Sequence, residues 1–232
     1  MGKIRLDKYI SNETLYSRSE IRKMIFKGQC SVNGITVCQP DFKVEENDSI
    51  CLDGQAVHFQ KYVYIAMNKP KGVLSASEDK SCKTVVDLLP EKYSKRNIFP
   101  AGRLDKDSTG LVLLTDDGEF AHRITSPKHH IEKSYIVTLD ADVTEEVIDG
   151  FKKGVTLYDG SECKPAVCQK LDDNKARVIL TQGKYHQIKR MFGVYNIGVN
   201  DLHRERMGNY TLPDSLSEGD FVEITPENLI DS

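Results

Sequence analysis

Arg103 and Asp105 form the first pair of residues whose types and spacing could do chemistry. A short polar turn, Lys106 to Gly110, follows them. It leads into an apolar run, Leu111 to Leu114, of β-strand length that ends at Asp116-Asp117-Gly118. A carboxylate in a loop that enters a buried strand is held by a rigid element, as a reactive group must be. Such a side chain could act as a nucleophile or a general base.

Two further segments carry candidate reactive groups. Lys133 opens a predicted strand that contains Tyr135, and because alternate strand residues share a face, we expect both side chains on one side. Residues 184–195 predict a helix whose apolar stripe faces the core and leaves Lys189 and Arg190 pointing away from its centre. Either cation could meet a carboxylate. Taken singly, the structural interpretation is favoured for each group: Asp105 as a turn residue, Tyr135 as a core aromatic and Lys189 as a surface charge.

The segment around Asp105 has a second interpretation, a calcium-binding loop. The ligand and turn positions of an EF-hand loop are matched by Asp105, Asp107, Thr109, Gly110 and Asp116. Three features oppose it: the last position is Asp instead of a bidentate Glu, Leu113 occupies a ligand position, and a strand follows rather than a helix. Six cysteines without a C-x-x-C pair also argue against zinc. We therefore expect no metal.

The first sixty residues predict a small domain of two helices and a small sheet. Leu6, Tyr9 and Ile10 have helical spacing, and a second helix begins near Ser17 or Ser19 and stops at Gly28. The Asn33-Gly34 pair predicts a hairpin, residues 49–52 a further strand, and residues 55–61 a linker. One face of the second helix is basic and carries Arg18, Arg22, Lys23 and Lys27.

Residues 61–232 predict a larger α+β domain. Strands are expected at residues 62–67, 111–114, 135–139, 155–158, 177–180, 199–203 and 221–224. Helices are expected at residues 83–89, 119–124, 144–151 and 184–195. The order is irregular, with no βαβ rhythm and no glycine-rich phosphate loop, which favours α+β over a dinucleotide-binding fold. We expect no nucleotide or other cofactor.

Composition and charge indicate a soluble protein with a polarised surface. The chain has 232 residues, 39% apolar and 29% charged, which is enough for two domains. It shows neither a transmembrane stretch nor a signal-peptide core, which predicts a cytoplasmic location and no membrane partner. The net charge is −3, yet residues 1–28 carry +4 and residues 184–206 carry +3. This segregation suits a protein that meets a polyanion on one face, although solvated helix faces would explain it equally well.

The first sixty residues resemble the S4 RNA-binding domain. The matching residues are Arg5-Leu6-Asp7-Lys8-Tyr9, Ser17-Arg18, Gly28 and Val32-Asn33-Gly34. The resemblance implies that this domain grips structured RNA through phosphate contacts. The residues expected to make those contacts are Lys8, Arg18, Arg22, Lys23 and Lys27.

Three motifs, in this order, resemble those of the RsuA branch of the pseudouridine synthases. They are Gly102-Arg103-Leu104-Asp105 with Ser108-Thr109-Gly110-Leu111, then Lys133-x-Tyr135, then Gly183-x-x-His186-Gln187-Ile188-Lys189-Arg190-Met191. The resemblance implies a catalytic domain with a mixed, mostly antiparallel sheet flanked by helices. It also implies Asp105 as nucleophile or base, Lys189 as its cation and Tyr135 stacked on the uracil. Arg103 would hold the flipped nucleotide or fill the gap that it leaves in the RNA. Ile188 would pack against the pocket, and Arg190 would contact RNA.

The implied reaction breaks the glycosidic C–N bond of a uridine, rotates the uracil and rejoins it through C5, which needs no cofactor. The implied partner is 16S rRNA or a small-subunit assembly intermediate, with uridine 516 as target and the enzyme acting as a monomer. Two alternatives stay open: a related synthase acting on 23S rRNA or tRNA, and an S4-type RNA-binding or ribosome-assembly factor without activity. The presence of Asp105, Tyr135 and Lys189 together favours an enzyme. Whether Asp105 attacks the sugar, attacks the base or deprotonates the sugar stays open.

Overall fold

The computed structural model describes residues 3–229, and its chain contacts divide into two units. The first comprises Met1–Tyr62 together with Leu89–Asn97, and the second comprises Val63–Leu88 and Ile98–Ser232. The sequence placed the boundary between residues 60 and 61 and assigned 89–97 to the second domain. That segment instead packs within the first unit, where the Lys95 amine donates to the Thr14 carbonyl at 2.9 Å.

The first unit contains two helices, a four-stranded sheet and a two-stranded sheet. Its elements are β1 (Ile4–Arg5), α1 (Leu6–Glu13), α2 (Arg18–Phe26), β2 (Cys30–Val32), β3 (Ile35–Thr36), β4 (Lys43–Val44), β5 (Ile50–Leu52) and β6 (Gln55–Val57). The larger sheet has the order β3-β2-β5-β6, and β1 pairs with β4. A 3₁₀ turn, Glu91–Tyr93, lies in the returning segment. The prediction of two helices and a small sheet is therefore confirmed.

Residues 55–61 are not simply a linker, because Gln55–Val57 forms β6. Asp53 and Gly54 both have positive φ, at 51° and 78°. Two successive residues of that kind make the tight turn that reverses a strand into its neighbour. β6 accordingly pairs antiparallel with β5.

Helix α2 begins at Ser17, one of the two caps that the sequence predicted. The Ser17 hydroxyl accepts a hydrogen bond from the Glu20 backbone N–H, and the Glu20 carboxylate accepts one from the Ser17 N–H. This reciprocal capping box satisfies two backbone donors at the helix start. It fixes the phase of the helix, so that Ile21 and Ile25 are fully buried while the basic residues face outward.

Asp7 links the two helices of the first unit. Its carboxylate is fully buried and accepts hydrogen bonds from Arg5 (3.1 Å), Arg18 (3.0 Å) and Arg22 (2.9 Å). Burial alone would raise the pKa of Asp7, but the three guanidinium groups outweigh burial and hold that pKa well below its ordinary value of 3.8. The arginines keep 37%, 46% and 48% of their side-chain surface exposed. One anion thus positions three cations at the surface.

We expect Asp7→Asn to lower the free energy of unfolding by about 2 kcal/mol. Loss of one partner from a fully buried ion pair costs roughly 3–5 kcal/mol, and the partial exposure of the arginines reduces that cost. Urea unfolding of the full chain measures it, with exposed Asp41→Asn as the matched control.

The pH dependence of this stability loss tests whether the ion pairs of Asp7 cause it. Because folding lowers the pKa of Asp7, its ionised carboxylate contributes fully to the free energy of unfolding above the ordinary carboxyl pKa. That contribution is lost as the pH falls through the pKa that Asp7 has in the folded protein. The stability difference between wild type and Asp7→Asn should therefore shrink between about pH 5 and about pH 3. An equal difference at both pH values would contradict the ion-pair explanation.

The second unit is built around one large sheet. Its strands are β7 (Tyr64–Lys69), β8 (Phe99–Pro100), β9 (Thr109–Thr115), β10 (Lys133–Leu139), β11 (Val167–Asp172), β12 (Lys175–Leu180), β13 (Val199–Met207), β14 (Tyr210–Thr211) and β15 (Phe221–Glu223). Its helices are α3 (Gly118–Thr125), α4 (Glu145–Lys153) and α5 (Gln187–Gly193). Short 3₁₀ turns occupy Val86–Leu88, Pro127–His129 and Pro226–Asn228.

The sheet is mixed and mostly antiparallel, which confirms the predicted α+β class. Its order is β11-β12-β10-β13-β9-β7-β15, with β14 added beside β13 and β8 beside β9. β9 and β13 run parallel, and the other pairs within residues 3–229 are antiparallel. All seven residues of β9 are buried. This strand is the rigid element into which the Asp105 loop leads.

Three predicted elements differ from the structure. Residues 83–89 form only the 3₁₀ turn Val86–Leu88, because the Asp87 carboxylate accepts bonds from the Thr84 backbone N–H and hydroxyl and closes a local turn. Residues 155–158 form no strand but an isolated bridge between Thr156 and Glu162. The helix predicted over residues 184–195 is shortened to Gln187–Gly193.

Across residues 3–229, no helix combines the length and the apolar character that crossing a membrane requires.

Candidate active site

A cavity of about 900 Å³ opens in the second unit at the start of β9. Its lining brings together five of the residues singled out from the sequence: Arg103, Asp105, Tyr135, Ile188 and Lys189. They come from the loop before β9, from β10 and from α5. We call this space the site cavity. Arg190 is engaged elsewhere, since its guanidinium pairs with Asp159.

Asp105 lies in a loop of residues 102–108, here called the aspartate loop. On one side the buried Ser75 hydroxyl donates to the Leu104 carbonyl at 3.0 Å and accepts from the Leu104 N–H at 3.1 Å. The Ser108 N–H donates to the Asp105 carbonyl at 3.1 Å, which closes a turn around the carboxylate. The loop backbone is therefore fixed immediately before and after Asp105.

Lys69, at the end of β7, holds the other side of the aspartate loop. Its amine is fully buried and donates to the carbonyls of Pro70 (3.0 Å), Lys106 (3.2 Å) and Ser108 (2.7 Å). Burial lowers the pKa of Lys69 to about 8, and the nearby charges of Asp107 and Asp105 oppose that shift. The amine is thus mostly protonated at pH 7. Its three N–H donors match these three carbonyls, two of which belong to the aspartate loop.

Lys189 stands between two carboxylates. Its amine lies 2.6 Å from Asp107 Oδ2 and 3.9 Å from Asp105 Oδ2. The hydrogen bond from Lys189 lowers the pKa of Asp107. On its other side, Asp105 Oδ1 lies 3.5 Å from His186 Nε2. The Asp105 side chain is 26% exposed and lines the cavity beside the Lys189 amine.

Tyr135 forms part of the cavity wall. Its residue in β10 pairs with Val178 of β12 and Arg204 of β13, so strands on both sides fix its direction. The Arg204 guanidinium lies 6.0 Å from the centre of the Tyr135 ring, and Arg204 Nε donates to the Leu111 carbonyl at 2.6 Å. Arg204 is itself buried. A buried cation therefore lies beside the aromatic ring and ties β13 to β9.

Gly110 explains why β9 and β13 can approach each other here. Its φ is +99°, and a Cβ at this position would lie 2.4 Å from the Arg204 carbonyl oxygen. Any side chain would push the two strands apart. The glycine of the Ser-Thr-Gly-Leu motif therefore sets the distance between the strand that carries the aspartate loop and the strand that carries Arg204.

Helix α5 presents Ile188 and Lys189 to the cavity. It starts after His186, whose φ of 48° and ψ of 35° lie in the left-handed region and break the helix that the sequence extended to residue 184. Ile188 is buried and lines the cavity wall. Lys133, two residues before Tyr135 in β10, has its pKa lowered to about 8 by burial and by Arg204.

The calcium interpretation does not fit this geometry. Asp105 and Asp116 lie at opposite ends of β9, and seven extended residues span about 20 Å, whereas EF-hand ligands converge on one ion. Asp107 is hydrogen-bonded to Lys189, and Asp116 accepts the Val63 N–H. Within residues 3–229 no three histidine, cysteine, aspartate or glutamate side chains are grouped so that they could hold a metal.

The basic residues predicted in the first unit lie on its surface. Lys8, Lys23 and Lys27 are exposed, whereas Arg18 and Arg22 share Asp7 and keep about half of their side chains exposed. The lysines are therefore free to move, and the two arginines are held in place by a buried anion.

Comparisons with known proteins agree with this fold. Residues 63–193 match the RNA pseudouridylate synthase family, and residues 4–50 match the S4 domain. The chain therefore belongs to the RNA pseudouridylate synthase family, and it joins an S4 RNA-binding domain to the enzyme domain.

Within that family the chain is RsuA-like. It is 38% identical to the ribosomal small subunit pseudouridine synthase A of Escherichia coli, over 97% of this chain and 98% of that protein. It is 40% identical to an uncharacterized RNA pseudouridine synthase of Aquifex aeolicus, over 97% of this chain and 94% of the other. A crystal structure of a pseudouridylate synthase superposes with a TM-score of 0.70 at 36% identity, over 98% of this chain and all of that one.

Sequence reasoning missed three residues that support the site. Lys69 and Ser75 hold the aspartate loop, and Arg204 lies beside Tyr135. All three are buried polar side chains in predicted strands or loops, and nothing in their local pattern distinguishes them from surface residues. His186 lay inside a recognised motif, but its contact with Asp105 depends on a backbone conformation that the pattern does not predict.

We expect Lys69→Met to lower kcat by about 10- to 100-fold while RNA binding changes little. Methionine fills a similar volume but leaves three backbone carbonyls, two of them in the aspartate loop, without their donor. The loop then loses its fixed geometry, and small misplacements of reacting groups are costly. Single-turnover rates and the RNA dissociation constant of the variant separate the two effects. A normal rate would show that Ser75 and the turn hold the loop without Lys69.

Proposed function

We propose that this enzyme isomerises one uridine of small-subunit rRNA to pseudouridine, with uridine 516 of 16S rRNA as the expected target and Asp105 as the reacting group. The observation that carries the proposal is that Asp105, Lys189 and Tyr135 line one cavity, with the Lys189 amine 3.9 Å from the Asp105 carboxylate. The choice of small-subunit rRNA rests on the similarity to a ribosomal small subunit synthase over nearly the full length of both chains.

The site cavity suits a single flipped nucleotide. Its volume of about 900 Å³ is of the size that holds one ligand of this class. A uridine stacked in RNA cannot reach Asp105, so it must leave the stack and enter the cavity, where Tyr135 offers an aromatic face to the uracil. Arg103 is exposed on the cavity lining, where it can hold the flipped nucleotide or fill the gap left in the RNA.

Asp105 supplies the chemistry in this proposal. The bond between ribose C1′ and uracil N1 breaks, the base turns, a bond forms from C1′ to C5, and the proton from C5 is lost as N1 regains one. No atom is gained or lost overall, so no redox partner is required. Asp105 acts on the ribose or the base as a nucleophile or a base, and the Lys189 amine lies beside its carboxylate as RNA excludes water from the cavity.

The S4 domain supplies the grip on RNA. Lys8, Lys23 and Lys27 are exposed cations, and Arg18 and Arg22 present guanidinium groups already oriented by Asp7. Such residues recognise phosphates and structured RNA without reading bases. We propose that Arg190 adds an RNA contact near the cavity, and that the enzyme works as a cytoplasmic monomer on 16S rRNA or an assembly intermediate.

Asp105→Asn should abolish product formation, with a rate loss greater than about 10³-fold, and leave RNA binding intact. The amide keeps the shape of the carboxylate but cannot act as nucleophile or base. Unmodified small-subunit rRNA carrying early ribosomal proteins, labelled with tritium at uridine C5, reports turnover by tritium release. Carbodiimide labelling with primer extension then identifies the modified uridine.

Two controls separate the possible outcomes. Asp107→Asn removes the other carboxylate bound to Lys189 and tests whether charge loss alone inactivates the loop. The same assay on large-subunit rRNA and tRNA tests the choice of substrate. Turnover on one of those RNAs alone would replace the small-subunit assignment, and full activity of Asp105→Asn would overturn the role of Asp105.

Lys23→Ala should weaken RNA binding and reduce the slope of log Kd against log salt by about 0.7–0.9, because one phosphate contact releases about that many counterions. Lys175→Ala, an exposed lysine of the second unit, is the control. A slope equal to that of wild type would remove Lys23 from the RNA-binding face.

A further inference from the structure

The loop before α5 exposes an aromatic ring on the lining of the site cavity. Tyr185 is 76% exposed and lines the cavity, yet its ring is stacked on His186 with centroids 3.8 Å apart and planes 17° apart. An aromatic ring so exposed contributes little to the folding free energy through burial. Its inner face is covered by the imidazole, and its outer face is open.

The stack is fixed in position by the residues around it. The Lys184 N–H donates to the side-chain carbonyl of buried Gln187 at 3.0 Å, and the Lys184 amine donates to the Glu162 carbonyl at 2.6 Å. His186 has left-handed backbone angles, which a residue with a side chain adopts only at a cost. The tyrosine is therefore oriented before any ligand arrives.

The rings of Tyr185 and His186 form a continuous set of contacts from the solvent-exposed surface to Asp105. His186 Nε2 lies 3.5 Å from Asp105 Oδ1, and the Tyr185 ring is stacked on the face of the same imidazole. Any RNA that places a uridine beside Asp105 must pass its neighbouring nucleotides near this stack. Flipping a uridine also unstacks the bases next to it, which then lack a partner face.

We propose that Tyr185 is a stacking platform for the base of a nucleotide adjacent to the target uridine, with His186 as the second layer. The inference deepens the proposed function and rests on it. The ligand is a nucleobase in locally single-stranded RNA, recognised by its π face and not by its hydrogen-bonding edge. Tyr185 thereby positions the RNA strand, and the His186 imidazole packs against the face of the tyrosine ring that is turned away from the base.

The test measures binding and turnover separately, on the RNA in which the modified uridine has been mapped. Binding is measured in the Asp105→Asn background, so that no reaction occurs during titration. Tyr185→Ala should weaken binding by about 5- to 150-fold, the range that loss of one base–aromatic stack produces. Tyr185→Phe, which keeps the ring and removes the hydroxyl, should restore most of that loss.

Tyr158→Ala is the matched control, because Tyr158 is 80% exposed in the same unit and lies outside the cavity lining. Urea unfolding of each variant shows whether the fold is intact. Equal binding by Tyr185→Ala and Tyr158→Ala would overturn the proposal. A Tyr185→Phe variant as weak as Tyr185→Ala would also overturn it, since the hydroxyl and not the ring would then matter.

Abasic RNA identifies the contacted nucleotide. RNAs lacking the base immediately 5′ or 3′ of the target uridine are compared with intact RNA, using both wild-type Tyr185 and Tyr185→Ala. The proposal requires that one of the two abasic RNAs binds more weakly than intact RNA to the protein that carries Tyr185. The same abasic RNA should bind Tyr185→Ala as tightly as intact RNA does. If removal of the base and removal of the Tyr185 ring weaken binding independently with both abasic RNAs, so that the two losses in binding free energy add, neither base is stacked on Tyr185 and the proposal is overturned. Failure of the proposed function can be distinguished from failure of this inference. The turnover of Asp105→Asn tests the role of Asp105, whereas the binding measurements test Tyr185.

Discussion

The buried amine of Lys69 is the interaction on which the active site depends. A charged group removed from water is costly, and here three backbone carbonyls and two nearby carboxylates offset that cost. Two of those carbonyls belong to the aspartate loop, so the lysine organises the loop from beneath. Because the loop is shaped before RNA binds, the reaction spends little of the binding energy of RNA on ordering Asp105. The fully buried strand β9 supplies the rigid support.

Both units use opposite charges to orient side chains in advance, but with opposite arrangements. In the first unit a single buried carboxylate, Asp7, orients three arginines toward solvent. In the second a single lysine, Lys189, serves two carboxylates, and its shorter contact is with Asp107 rather than Asp105. The first arrangement fixes three guanidinium groups at the surface of its unit. The second leaves Asp105 with the longer of the two contacts that Lys189 makes.

Local sequence patterns predicted helices and strands correctly where one local signal was strong, such as a helix cap, a turn dipeptide or an apolar run. They were wrong where contacts with distant residues determine the secondary structure. The Ser17 cap, the hairpin at Asn33-Gly34 and the apolar run before Asp116 each have a local physical cause. β11 was missed because it is mostly exposed and lacks apolar alternation. The motifs located the cavity lining, but Lys69, Ser75 and Arg204 act through contacts with residues between 29 and 93 positions away, which no window along the sequence can contain.

The return of Leu89–Asn97 to the first unit has a consequence for how the chain folds during synthesis. The chain crosses between units three times, at residues 62–63, 88–89 and 97–98. Domains generally fold in order as they leave the ribosome. Here the N-terminal unit cannot complete its contacts until residues 63–88, which belong to its neighbour, have emerged. The two units are therefore coupled by connectivity, and an exchange of the RNA-binding unit between proteins would have to carry the returning segment along with it.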